Sequence, residues 1–170
     1  EPYVDHLLSK HGFKQVAKQY FKDDHSIFYA YVKDSSIETI ELPGGLYKHN
    51  KKLYLDYVDY HKKLIIDLNE KIEKVDVDQS IYLFGAHVFA QYLIEFGLDT
   101  SHIVCLLDND INKQGKRLYG TDMMVESPKV LADVNNPIVI LKAGVYNNEI
   151  KQDILDNINS KVFFLGLNDD

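Results

Sequence analysis

The sequence predicts an α/β fold: a Rossmann-like parallel sheet flanked by helices, preceded by a helix plus β-hairpin and a long linking helix. Three observations predict it. Short apolar runs at 81–84, 102–107, 137–141 and 162–165 alternate with helical patterns, and such alternation builds a parallel sheet through crossover connections. Gly85 follows the first run directly, where a tight strand-to-helix turn needs it. Residues 51–75 carry one continuous apolar stripe, as a helix laid along a domain does. The division that follows is residues 1–50 as a helix, hairpin and linker, 51–78 as a long bridging helix, and 79–170 as a Rossmann-like C-terminal domain.

Taken in order, residues 2–11 read as a helix stopped by Gly12. Residues 14–21 and 26–33 are rich in strand formers, and Lys22-Asp23-Asp24-His25 joins them as a hairpin. A helix and a hairpin bury too little surface to be stable alone, so they read as a remnant of something larger or pack on the rest. The chain opens on Glu1 rather than methionine, which fits a piece of a longer polypeptide. Residues 34–50 connect, punctuated by Pro43-Gly44-Gly45. In residues 51–75, Tyr54, Val58, His61, Ile65, Leu68, Ile72 and Val75 recur at spacings of four and three, with Lys and Glu on the other face. That stripe serves either packing within the chain or a self-association seam, which would make a homodimer. His61 on it reads as a packed or hydrogen-bonded histidine rather than a ligand. After the strand 81–84, a helix over 87–96 ends at Gly97, and the second strand ends in Asp108-Asn109-Asp110. Residues 121–125 read as a third strand, Ser127-Pro128 starts a short helix through 132, 137–141 is a fourth strand, 147–157 a helix and 162–165 a fifth strand.

Composition narrows the function classes. Of the 170 residues 45% are hydrophobic and 26% charged, ordinary for a globular chain. A net charge of -7 argues against a nucleic-acid partner, since no basic face answers a phosphate backbone. No apolar run spans a bilayer and no signal peptide is visible. The lone Cys105 sits in an apolar strand, so it is a small core residue, no disulfide or cysteine zinc site forms within the chain, and a reducing cytoplasm fits. Twelve tyrosines stand against no tryptophan, several of them on the long helix, where an apolar ring with a wet tip is useful.

In an open parallel sheet, ligands collect beyond the carboxyl ends of the strands. Three loops leave those ends here: Gly85-Ala86-His87, then residues 108–121 with Asp108, Asn109, Lys113, Lys116, Arg117 and Tyr119, then residues 143–149 with Gly144, Tyr146 and Asn147. Backbone amides, cations, an aromatic ring and carboxamides near one crevice suit a phosphate-linked sugar or nucleotide. Lys113, Lys116 and Arg117 form a positive cluster in an acidic chain, as a phosphate contact or as solvated surface, and alanine at Lys116 and Arg117 is expected to weaken such binding. His87, near a helix start, stays neutral and either donates to a ligand or packs. Asp108 either holds a ribose hydroxyl or caps its loop. Gly85 stands alone where a dinucleotide fingerprint has three glycines. No metal-ligand spacing, nucleophile elbow or Walker loop is present, so the domain reads as one that binds a substrate for chemistry performed elsewhere.

The segments FGAHVFAQYL, LLDNDINKQGKRLYGT, ESPKVL and ILKAGVYNNEI, in that order, resemble the C-terminal domain of sugar C-methyltransferases, S-adenosylmethionine-dependent enzymes acting on nucleotide-linked deoxysugars. Residues 1–33, closing with HSIFYAYVK, are similar to the final helix and hairpin of a class I methyltransferase domain. The resemblance implies a cofactor, S-adenosylmethionine, held by the intact parent enzyme and not by this chain, whose site, zinc module and catalytic residues lie in a missing N-terminal catalytic domain. It implies a parent reaction in which a carbon beside a ketone is deprotonated and the enolate takes the methyl group. For this chain it implies a nucleotide-linked sugar as partner and no activity alone. Two other functions stay open: a free-standing nucleotide- or NAD-binding module, resting on Gly85 and Asp108, and a non-enzymatic oligomerisation module, resting on the 51–75 stripe.

Overall fold

The computed structural model describes residues 1–22 and 25–166, and the chain divides into two compact units, Glu1–Asp56 and Tyr57–Asp170. In the first unit, helix α1 (Pro2–Lys10) begins on a proline whose fixed φ suits the first turn, and it ends at Gly12 with φ +73°. Strands β1 (Phe13–Phe21) and β2 (Ser26–Lys33) pair antiparallel, with a register irregularity between Gln15 and Ala17. Of the expected joint, Asp23 and Asp24 lie outside the described residues. The helix is tied to the hairpin by polar contacts: the Tyr31 hydroxyl donates to Asp5 at 3.0 Å, and Glu1 accepts from Lys18 and Tyr20.

Helix α2 (Leu46–Ile72) runs from the first unit into the second. It begins directly after Gly45, five residues ahead of the expected start at 51. Only the later part of its stripe is covered: His61, Ile65, Leu68 and Ile72 are buried, whereas Tyr54 is 66% exposed. Burying each of those three aliphatic side chains contributes roughly 1.5–3 kcal/mol. His61 donates from Nδ1 to the Tyr57 carbonyl at 2.9 Å and lies against the Tyr57 ring, a packed histidine.

The second unit holds a five-stranded parallel sheet in the order β5-β4-β3-β6-β7. Its strands are β3 (Ile81–Phe84), β4 (Ile103–Leu107), β5 (Val125–Glu126), β6 (Ile138–Leu141) and β7 (Phe163–Gly166). This is the α/β, Rossmann-like architecture expected. IYLF in β3 and IVIL in β6 are buried at every position, as central strands covered on both faces must be. One face packs on α2 and on α3 (Val88–Glu95), through Ile65, Leu68, Ala90 and Leu93. The other carries α4 (Asn147–Asn157) and a single 3-10 turn, Pro128–Leu131, through Ile154 and Leu131.

The third strand departs from expectation. The strand expected at 121–125 is reduced to Val125–Glu126. Residues 115–118 fold back against 123–125: Gly115 donates to the Val125 carbonyl at 2.8 Å, Val125 to Lys116 at 2.9 Å and Leu118 to Met123 at 2.9 Å. That small hairpin closes the outer edge of the sheet, which leaves the edge less open to pairing with another chain.

Candidate functional site

Strand order reverses between β3 and β6. The chain moves outward from β3 through β4 to β5, then returns to the other side of β3. The helices that follow β3 and β6 therefore pack on opposite faces of the sheet, the arrangement in which open α/β sheets carry a ligand crevice between the two loops. Gly85, Ala86 and His87 stand on one side, with Gly144, Tyr146 and Asn147 on the other.

The first loop is held from below. Gly85 donates to the Leu107 carbonyl at 2.7 Å and takes φ +106°, a backbone conformation reserved for glycine. Ala86 N–H donates to Asp108 Oδ2 at 2.9 Å. The buried Asp108 carboxylate also accepts from Lys113 Nζ at 2.9 Å and from the Asp110 N–H at 2.9 Å. Gln114 completes the knot by donating to the Asp108 carbonyl at 2.9 Å. Asp108 is thus the tie between the first two loops. Three of the roughly four acceptor positions of a carboxylate are spent within the chain, so the loop-capping role is the one its geometry carries.

His87 is the N-cap of α3 and half-buried. Its Nδ1 accepts from the Phe89 N–H at 3.2 Å, which places the ring hydrogen on Nε2. The ring folds back over Gly85, so that a Cβ there would come within 2.5 Å of Nε2. Burial, and then the nearby Lys113 ammonium, push the His87 pKa down, against a smaller opposing pull from Asp108. A histidine that is depressed in the folded state favours folding while neutral. Its contribution is complete above its ordinary value of 6.5 and is lost as pH falls through the folded value. We expect a two-dimensional NMR titration to show His87 protonating below the ordinary histidine value of 6.5, and urea unfolding to show stability falling between neutral and mildly acidic pH. His87→Gln should flatten that part of the profile.

The third loop is stapled by the Asn147 side chain, which accepts from the Ala143 N–H at 2.7 Å. Gly144 sits in a left-handed conformation at the start of a 3-10 turn ending in Tyr146.

The remaining expected residues are placed elsewhere. Lys116 is exposed and donates from Nζ to the Asn112 carbonyl at 2.6 Å. Arg117 pairs with Asp122 at 3.2 Å, both exposed. Because the 115–118 segment runs antiparallel to β5, it carries Arg117 and the 86%-exposed Tyr119 back down the sheet edge, away from the strand carboxyl ends. The Tyr119 carbonyl meets Gln91 in the body of α3 at 2.9 Å. The expected positive cluster is not assembled: Lys113 is at the crevice but paired, and Arg117 and Tyr119 border a separate cavity of about 650 Å³ at the hairpin tip. Asn109 is exposed beside the crevice and lines a different cleft of about 610 Å³. That cleft lies between residues 109–114, 127–132 and 153–158. Of its lining only Asn109 stood out in the sequence, because the others become neighbours only when the sheet forms. Among the described residues no group of three or more His, Cys, Asp or Glu is placed to hold a metal ion. Among them too, no helix is long and apolar enough to cross a membrane.

The strand order, the single glycine turn and the tied loops define an open-sheet α/β domain of Rossmann type. No protein-family model, curated protein or solved structure matches this chain.

Proposed function

We propose that the second unit holds a nucleotide-linked sugar at the crevice between the loops after β3 and β6, as the substrate-binding part of a sugar C-methyltransferase. The observation that carries this reading is the neutral His87, its Nε2–H directed by the Phe89 contact, standing over Gly85 at the strand-order reversal. An N–H donor beside a helix start suits a phosphate or a sugar hydroxyl. The four ordered sequence segments supply the methyltransferase part. Asp108 and Lys113 are spent on each other, so the unit offers positioning rather than proton transfer. Its buried Cys105, whose pKa burial pushes up to about 11, is an inert core thiol rather than a nucleophile.

S-adenosylmethionine supplies the methyl group in such enzymes and belongs, on this reading, to a catalytic domain outside these residues. Among the described residues the fit is poor: the Asp108 carboxylate, at the end of the second strand, already accepts from Ala86, Asp110 and Lys113. The same occupancy counts against a free-standing NAD module.

Calorimetry tests the reading. Uridine diphosphate glucose should bind, and His87→Ala should weaken it about tenfold, the loss of one hydrogen bond to a charged group. Lys116→Ala with Arg117→Ala should change affinity less than about twofold, since exposed charges away from the ligand contribute little. NADH or S-adenosylmethionine binding in place of the nucleotide-sugar would overturn the reading.

A further inference from the structure

The first unit buries almost nothing of its own. Among the described residues, every buried apolar side chain lies at Ile65 or beyond, and Ser9 is the one buried residue of Glu1–Asp56. Val16, Phe21, Phe28 and Val32 all stay exposed. A hairpin with so little cover gains stability from further strands. Its two outer edges differ. Strand β1 carries a bulge at Val16 and two lysines, Lys14 and Lys18, devices that keep an edge strand from pairing. Strand β2 has neither: its residues SIFYAYVK run in unbroken register, with one charge, Lys33, at the end. Among the described residues, the β2 backbone bonds no strand but β1.

We infer that the outer edge of β2 is a self-association surface, on which β2 of a second copy of this chain pairs antiparallel about Ala30. Alternation along β2 puts Ile27, Tyr29, Tyr31 and Lys33 on the side of α1, where Tyr31 reaches Asp5, and Phe28, Ala30 and Val32 on the other. A two-fold axis through the sheet at Ala30 sets Phe28 opposite Val32 of the second copy, Tyr29 opposite Tyr31, Ile27 opposite Lys33, and Ala30 opposite itself. Aromatic and β-branched residues then meet across the strands, the pairs that stabilise a sheet, and no like charges are opposed. The same operation on β1 about Val16 would set Lys14 against Lys18 and would meet the bulge. Stacking the exposed faces of two hairpins is the other way to cover them. It would take Lys14 and Gln19 out of water, because they lie opposite Val32 and Phe28 on that face; edge pairing leaves both solvated. The four-stranded sheet that results carries both copies of α1 on one face, and such a sheet holds where two strands are marginal. The inference rests on the first unit alone and stands apart from the crevice.

Sedimentation velocity and cysteine cross-linking on the whole chain test it. The chain should pass from monomer to dimer as its concentration rises. Ala30→Lys, which opposes two like charges at the axis, should weaken the dimer about fivefold. Ala30→Cys should form a disulfide between copies, because opposed Cβ atoms in antiparallel strands lie about 4.5–5.5 Å apart, within reach of the bond after a small shift. Gln19→Cys on β1 should not, and the buried Cys105 gives no background. Ala30 is only half-buried and lies on the face away from α1, so the fold should survive its replacement, and far-UV circular dichroism checks each variant. A wild-type chain that stays monomeric up to about 1 mM overturns the inference. So does a dimer that Ala30→Lys leaves unchanged, or cross-linking as fast with Gln19→Cys as with Ala30→Cys. Assembly into aggregates of no fixed size, in place of a dimer, counts against it equally, since a two-fold contact closes on itself.

Discussion

Asp108→Ala is expected to destabilise the second unit by about 2–4 kcal/mol, most of it from the buried Ala86 N–H losing its acceptor. The Ala86 amide hydrogen bond to Asp108 is buried, with the residue 8% exposed. Lys113 is 39% exposed and turns to solvent, so its share is small. Asp108→Asn keeps an oxygen for Ala86 and should cost about half as much or less. Urea unfolding reads both, as a lowered midpoint with unchanged slope. A loss below about 1 kcal/mol, the net worth of one ordinary hydrogen bond, would mean that the first two loops do not depend on this carboxylate. Lys113→Met separates the two contributions: if Lys113 is the minor one, this variant stays close to wild type.

How much of this was legible beforehand depends on distance along the chain. The runs at 81–84 and 137–141 are readable because a central parallel strand is apolar at every position; the first coincides with β3 and the second begins one residue later, at Ile138. Helix α4 spans Asn147–Asn157, as its pattern predicts. The start of α2 was misplaced because residues 46–50, LYKHN, carry no stripe; the glycines before them mark the boundary instead. The stripe itself over-reached, since Tyr54 continues the spacing of His61 and Ile65 yet stays exposed. A periodic pattern reports which side chains share a face, and burial depends on what lies opposite. Residues 115–125 defeated the pattern for another reason. Their backbone donors close a hairpin at the sheet edge, and no side-chain periodicity records that.

The site was legible in outline and not in its wiring. Gly85, His87 and Asp108 were visible as a glycine turn, a helix start and a strand-ending acid. That Asp108 bonds to Ala86, 22 residues earlier, follows from β3 and β4 lying side by side. Once that bond forms, Lys113 closes on the same carboxylate and the expected cationic loop loses its free charge near the crevice. Arg117 then leaves with the hairpin. The loops after β3 and β6 therefore carry less free positive charge than the Lys113, Lys116 and Arg117 cluster suggested, and on the proposed reading recognition falls to oriented neutral donors. Such donors depend on position more than on charge, which puts the weight on the turn that aims His87.

Gly85→Ala should disrupt that aim. The backbone at Gly85 has φ +106°, and holding an alanine there costs about 1–3 kcal/mol. The new Cβ also meets His87 Nε2 at 2.5 Å, too close for the ring to remain. If the ring swings away, Nδ1 gives up the Phe89 N–H, and losing a helix cap costs about 0.5–2 kcal/mol. The sum is about 1.5–5 kcal/mol, more than a Cβ adds at Gly97, Gly115, Gly120 or Gly144, where it meets nothing within 4 Å. A double-mutant cycle with His87→Ala separates its parts. In that background there is no ring to displace, and only the backbone strain is left, so Gly85→Ala should become milder by about 1 kcal/mol or more. The displaced ring should also protonate nearer its ordinary value, visible in the NMR titration of His87, because burial and Lys113 no longer hold it down. Additivity in the cycle together with an unmoved His87 titration would mean the imidazole does not stand over Gly85, and the donor on which the crevice's binding role depends would be gone.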